Sequence, residues 1–193
     1  MSKQFSEVVT TINNNIDKWL NFGMTSGLDW YSSAHDFAKT LSVKYNKPVQ
    51  MVAGLIAATS PMKSWPLNKK MVEEFLQGIP IGHLGNQVYK CKSIVELDYA
   101  NMYYSDIDTT IMTILRGKKT SSFYHNIMYP NTSSKVTVDV HIWNALNPGW
   151  NFLTDKRYDI LEKSIKQKAK ELNIPIASVQ ASIWVNYKQH RYE

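Results

Sequence analysis

The chain has a single cysteine, no surplus of acidic residues, no long apolar run and almost no strand-like alternation of polar and apolar positions. Each absence excludes something. A lone Cys91 can close no internal disulfide and cannot supply a four-cysteine zinc or iron–sulfur site, so a reducing compartment is expected. No window approaches the roughly 18 uninterrupted apolar residues of a membrane span. Met1 to Asn15 is polar and lacks an apolar core of signal-peptide length. These features predict a soluble cytoplasmic protein, in the host cytoplasm if the chain is viral, with no membrane partner. His35, His83, His125, His141 and His190 show no metal-ligand spacing, and neither a metal nor another cofactor is expected. No repeat or low-complexity segment interrupts the pattern.

What is present is length, positive charge and helical periodicity. The 193 residues suffice for one domain, or two lobes sharing a core, that folds without covalent staples. The net charge is +6 and the isoelectric point about 9.2, which favours polyanions over neutral small molecules. The surplus divides evenly between the two halves, so there is no basic tail. It gathers instead in two short clusters: Arg116, Lys118 and Lys119 around Gly117, and Lys63, Lys69 and Lys70 around a second turn. Cations at helix starts suit phosphate contacts, because free N–H groups and the helix dipole add to their charge.

Apolar residues recur at three- and four-residue spacing through most of the chain, which predicts an all-α fold of roughly nine or ten helices. Phe5 to Trp19 is the first. Ser32 and Ser33 are candidate caps for a second that carries Ala34, Phe37, Ala38, Leu41 and Tyr45. Pro48 suits the first turn of a third, Val49 to Thr59, which is apolar nearly all round and is expected to be central and buried. A fourth follows Pro66. Gly78 to Asn86, rich in glycine and proline, reads as a long connection. Further helices are expected over Asp106 to Leu115, Thr120 to Met128, Asp139 to Leu146, Asp155 to Leu172 with Thr154 or Asp155 as cap, and Val179 to Tyr187.

Lys119 and Asp139 stand out from this framework. An amine that can attack a sugar carbon and a carboxylate that can stabilise an oxocarbenium-like charge are the groups needed to cut a bond at an anomeric carbon. The same residues also have ordinary roles. Asp139 precedes a helix in an N-cap position, and Lys119 can be a solvated charge. Asp106 and Asp108 read as a cap and its neighbour, and Cys91 as a small, partly buried side chain. Gln180, unusual in an apolar helix, is a candidate for base reading or for a buried hydrogen-bond network.

The segment from residue 48 to residue 146 resembles the helix-hairpin-helix DNA glycosylases of the endonuclease III type. The likeness rests on Leu55-Ile56-Ala57-Ala58-Thr59-Ser60, then Leu67-Asn68-Lys69, then Gly117-Lys118-Lys119-Thr120, then Val138-Asp139-Val140-His141, in the family's order and near its spacing. The resemblance implies a two-lobed helical fold with the active-site cleft between the lobes. Residues 48–146 would form the hairpin lobe, and residues 1–47 with 147–193 the second. It also implies DNA as partner, Lys119 as the lysine of bifunctional members, with Lys118 as a substitute, and Asp139 as the shared aspartate. Arg116, Gly117, Lys118, Thr120, Lys63, Asn68 and Lys69 would contact DNA. Met62 or Trp65 would be the wedge that fills the gap left by a flipped base, and His141, Trp143 and Gln180 would line the base pocket.

The chain also departs from that family. Leu115 and Arg116 replace the first hairpin glycine and the residue after it, so the hairpin must be reshaped. The cluster cysteines of many relatives are missing. Compact size and these losses suit a divergent phage or mobile-element branch. Three functions follow: a DNA glycosylase, with or without lyase activity, acting on a damaged or modified base; a base-modifying or base-exchange enzyme on the same fold; and a non-catalytic DNA- or protein-binding module.

Overall fold

The structure is a computed structural model that describes residues 3–81 and 85–192. Gly82 and His83, part of the expected long connection, lie outside them. Among the described residues there are eleven helices and no strand, so the protein is all-α. In order these are α1 (Lys3–Leu20), α2 (Thr25–Leu28), α3 (Trp30–Tyr45), α4 (Val49–Thr59), α5 (Trp65–Leu76) and α6 (Gly85–Val95). They are followed by α7 (Tyr104–Leu115), α8 (Lys118–Met128), α9 (Val140–Leu146), α10 (Asp155–Leu172) and α11 (Ile176–His190). None is long and apolar enough to cross a membrane.

The chain forms two compact units. One consists of Met1–Ser32 with Tyr129–Glu193, the other of Ser33–Met128. The division therefore falls inside α3 and after α8, and not at residues 47 and 146 as the resemblance implies. Packing explains the shift, because α9 buries Ile142, Ala145 and Leu146 among side chains of α1, α10 and α11. Asp139 goes with the termini for that reason.

In the terminal unit, α1 presents Ile12, Ile16 and Trp19 to a core completed by Val136, Val138, Tyr158, Leu161, Ile165, Val179 and Ile183. Each fully buried aliphatic side chain here contributes about 1.5–3 kcal/mol. Polar ties fix the register of the helices. Trp19 Nε1 donates to Ala145 O at 2.9 Å, and Asn186 Nδ2 donates to Trp19 O at 2.7 Å and Gly23 O at 2.6 Å. The one-turn helix α2 lies so close to α11 that a Cβ on Gly27 would fall 2.2 Å from Ser182 Cα. Only glycine fits that crossing.

In the other unit α4 is the axis, as its apolar circumference requires. All but its first residue are buried, and α5, α6, α7 and α8 pack around it. Two features differ from expectation here. Helix α3 begins at Trp30, which puts Ser32 and Ser33 inside its first turn instead of at its cap. Helix α6 occupies a stretch with no helix expected; it buries only Cys91 and Ile94.

Candidate functional site

Asp139 is built into place from both sides. Its backbone (φ −93°, ψ −176°) is extended, as an N-cap requires, and its Oδ1 accepts from the N–H groups of His141 at 3.0 Å and Ile142 at 2.9 Å. Those bonds fix the carboxylate at the positive end of α9. Upstream, the Tyr158 hydroxyl from α10 donates to Val136 O and accepts from Val138 N, so the two residues leading into Asp139 are held by one phenol.

The second carboxylate oxygen has its own partner. Trp184 Nε1, from α11, donates to Asp139 Oδ2 at 3.0 Å. The indole is braced in turn: the Trp30 ring lies 5.7 Å away at 59°, the His141 ring meets it edge-on at 6.1 Å, and Lys188 Nζ stands 4.2 Å from its centroid. One turn earlier on α11, Gln180 is 3% exposed and its Oε1 accepts from the Tyr31 hydroxyl at 2.6 Å. Asp139, His141 and Trp184, half-buried, and Lys188, exposed, thus form a cluster of one anion, aromatic faces and one cation. Trp143 turns elsewhere and stacks on Trp150 at 5.9 Å.

The hairpin belongs to the other unit. Helices α7 and α8 are joined by two residues, and both have positive φ: Arg116 at 50° with ψ 140°, and Gly117 at 80°. The turn therefore holds an arginine in a backbone conformation that is costly for a residue with a Cβ. Thr120, buried, donates its hydroxyl back to Arg116 O at 2.8 Å and Leu115 O at 3.2 Å, closing the turn from below. Lys90 of α6 donates to the same Leu115 carbonyl, and burial first, then the Arg116 charge, lowers its pKa from the ordinary lysine value. Arg116, Gly117 and Lys118 are exposed at the start of α8, with Lys119 half-buried beside them.

The loop after α4 is the third expected feature. Met62 sits at its tip with φ 62° and 96% exposure. Gln87 Nε2 supports the loop by donating to Pro61 O at 3.1 Å. Trp65, the other expected wedge, is instead packed edge-on against Phe37 at 5.8 Å, with Lys69 Nζ about as far from both rings. Asn68, expected at the DNA surface, is 2% exposed and donates to Thr59 Oγ1 at 2.7 Å and Ile56 O at 3.2 Å. Its amide fastens α5 to the last turn of α4, which removes it from phosphate contact. Lys63 remains half-buried on the loop.

Family comparison covers nearly the whole chain: the DUF7178 family, described as a family of unknown function, matches residues 2–191. The chain belongs to DUF7178. No curated protein and no solved structure matches it. In this DUF7178 chain the structure brings Asp139, His141 and the Gln180–Trp184–Lys188 stripe of α11 into the terminal unit. It gathers Arg116, Gly117, Lys118, Lys119 and Thr120 at the hairpin of the other unit, where the Met62 loop also lies.

Trp184, Trp30, Tyr31, Lys188 and Tyr158 were not expected in this DUF7178 site from sequence. Part of the signal was present, since residues 180, 184 and 188 fall on successive turns of one helix. Their partners come from distant segments with no local signature. His35 is held below its ordinary pKa by burial and then by the Lys39 charge, and His190 stacks on Phe22 at 4.2 Å.

Proposed function

We propose that this chain is a DNA N-glycosylase that excises a damaged or modified base, and that Asp139 supplies the charge which stabilises the reacting sugar. The observation that carries the reading is the immobilised carboxylate: three N–H donors fix Asp139 beside aromatic rings, in the position that matches the family's Val-Asp-x-His. As the C1′–N bond breaks, its electron pair leaves with the base and positive charge grows on the deoxyribose. An anion already oriented at that point lowers the barrier without reorganising. Water then adds hydroxide to C1′ and a proton to the departing base.

The reading includes the two-lobed glycosylase architecture and its flipped nucleotide. Arg116, Lys118 and Lys119 at the start of α8 would hold backbone phosphate, and Met62 would fill the vacated space in the duplex. Support for Lys119 as an amine nucleophile comes from the sequence likeness. Its attack on C1′ would displace the base, open the sugar as a Schiff base and allow elimination of the 3′ phosphate.

Release of free base from oligonucleotides carrying modified bases tests the glycosylase, and it should vanish in Asp139→Asn. Borohydride trapping on abasic-site DNA tests the lyase, with the adduct lost in Lys119→Ala. A specific observation favours one other reading: the two Oδ1 bonds of Asp139 are those of an ordinary N-cap, as a purely structural aspartate in a DNA-binding module would make. Salt-sensitive DNA binding with no base released from any substrate would select that module.

A further inference from the structure

An N-cap aspartate needs only one of its carboxylate oxygens for the helix. Here Oδ1 does all of that work, accepting both backbone N–H groups of α9. The bond from Trp184 to Oδ2 is therefore surplus to helix capping, and it comes from a residue 45 positions away on a different helix. The bond satisfies the indole's only donor and at the same time ties an oxygen that water could otherwise reach, so it couples the carboxylate of one helix start to the side chain of another helix.

The indole is also restrained on several sides. Trp30 packs against it at 5.7 Å, His141 abuts it at 6.1 Å, and Lys188 stands over its ring at 4.2 Å. The ammonium over the π-face withdraws electron density from the ring and strengthens the N–H as a donor. With Oδ1 held by two N–H groups of α9 and Oδ2 by the indole of α11, the carboxylate plane cannot rotate freely. The lone pairs left on Oδ2 keep one direction.

We infer that Trp184 is a positioning residue, whose indole N–H orients the Asp139 carboxylate toward the sugar carbon, and that Lys188 and Trp30 hold the indole in the donating pose. The inference rests on the glycosylase reading for its consequence in catalysis, and on geometry alone for the coupling between the two side chains. It narrows the role of Asp139. Three donors leave this carboxylate poorly placed to strip a proton from water and well placed to act as a fixed negative charge.

Two measurements on the full chain test it. The first needs no substrate: in 1H–15N spectra the Trp184 indole resonance, assigned by its loss in Trp184→Phe, should move upfield in Asp139→Asn, whose one side-chain oxygen stays with the α9 N–H groups and whose NH2 then faces the indole in place of an acceptor. An unmoved resonance overturns the inference. The second is base release. Trp184→Phe keeps an aromatic face for Lys188 but deletes the donor, and should lower kcat roughly 10–100-fold with KM nearly unchanged, the range seen when an orienting partner is removed. Equal kcat in mutant and wild type, at matched Tm, also overturns it. If wild type releases no base while the indole still responds to Asp139→Asn, the glycosylase reading fails and the orientation of Asp139 by Trp184 stands. If Trp184→Phe does not fold, the spectrum of Asp139→Asn decides alone.

Discussion

Tyr158 donates its hydroxyl to the Val136 carbonyl at 2.6 Å and accepts from the Val138 N–H at 3.1 Å, so a single phenol replaces the strand partner that this segment lacks. Tyr158 is 4% exposed, and Val136 and Val138 are buried with it, so both bonds are shielded from solvent. Tyr158→Phe should leave a buried carbonyl and a buried N–H unpaired and cost about 2–4 kcal/mol, one desolvation penalty of 1–3 kcal/mol for each with some relaxation. Urea unfolding measures the loss. Base release should fall further than the loss of folded protein explains, because the path into Asp139 loosens.

Asp139 has separable structural and chemical duties. Asp139→Asn retains an oxygen for the α9 N–H groups, since Asn caps as well as Asp, but turns its NH2 toward the Trp184 donor and should cost about 1.5–3 kcal/mol for that lost bond. Base release should nonetheless disappear. Asp139→Ala loses both duties, with about 0.5–2 kcal/mol of destabilisation added. Equal stability of the Asn and Ala variants would show that the cap is not energetically coupled to the fold.

Arg116 occupies φ 50°, ψ 140°, a conformation costly for any residue with a Cβ. Arg116→Gly should therefore raise stability by about 1 kcal/mol or more through relief of that strain. It should simultaneously weaken DNA binding and reduce the salt slope of log K by about one charge's worth. Opposite signs for the two effects would mark strain retained for contact. A fall in both would mean that the turn depends on the arginine side chain.

Cys91 is fully buried on α6, and burial pushes its thiol pKa up to about 12. The folded protein should resist alkylation at about pH 9, where an ordinary exposed thiol is largely thiolate. In the unfolded chain the thiol ionises near its ordinary value, so this group removes stability as pH rises from that value toward 12. Thiol labelling with and without denaturant checks the first point, and Cys91→Ala should lessen the alkaline loss.

Much of the fold was legible because it is written locally. The apolar circumference of residues 49–59 and the proline before them mark α4; the side chains of Asp139 and Thr154 mark the starts of α9 and α10 and are observed capping them. Helix α6 was illegible for the converse reason. Gly85-Asn86-Gln87 opens it without an Asp, Ser or Thr cap, and its buried stripe amounts to Cys91 and Ile94. The site followed the same rule. Asp139 and the hairpin cations have short-range motifs, whereas the indole that completes Asp139 and the amide role of Asn68 depend on which helices meet. Burial of α9 against α1 and α11, which no single window encodes, likewise decided where the chain divides.

The Lys90 ammonium ends on the Leu115 carbonyl, 25 residues along the chain, at the C-terminal end of α7. A helix with almost no signature of its own thereby props the turn that carries the exposed cations. Shortening that helix past Lys90 would remove a buttress together with its charge, and the damage would surface in a different helix, where α7 runs into the Arg116–Gly117 turn.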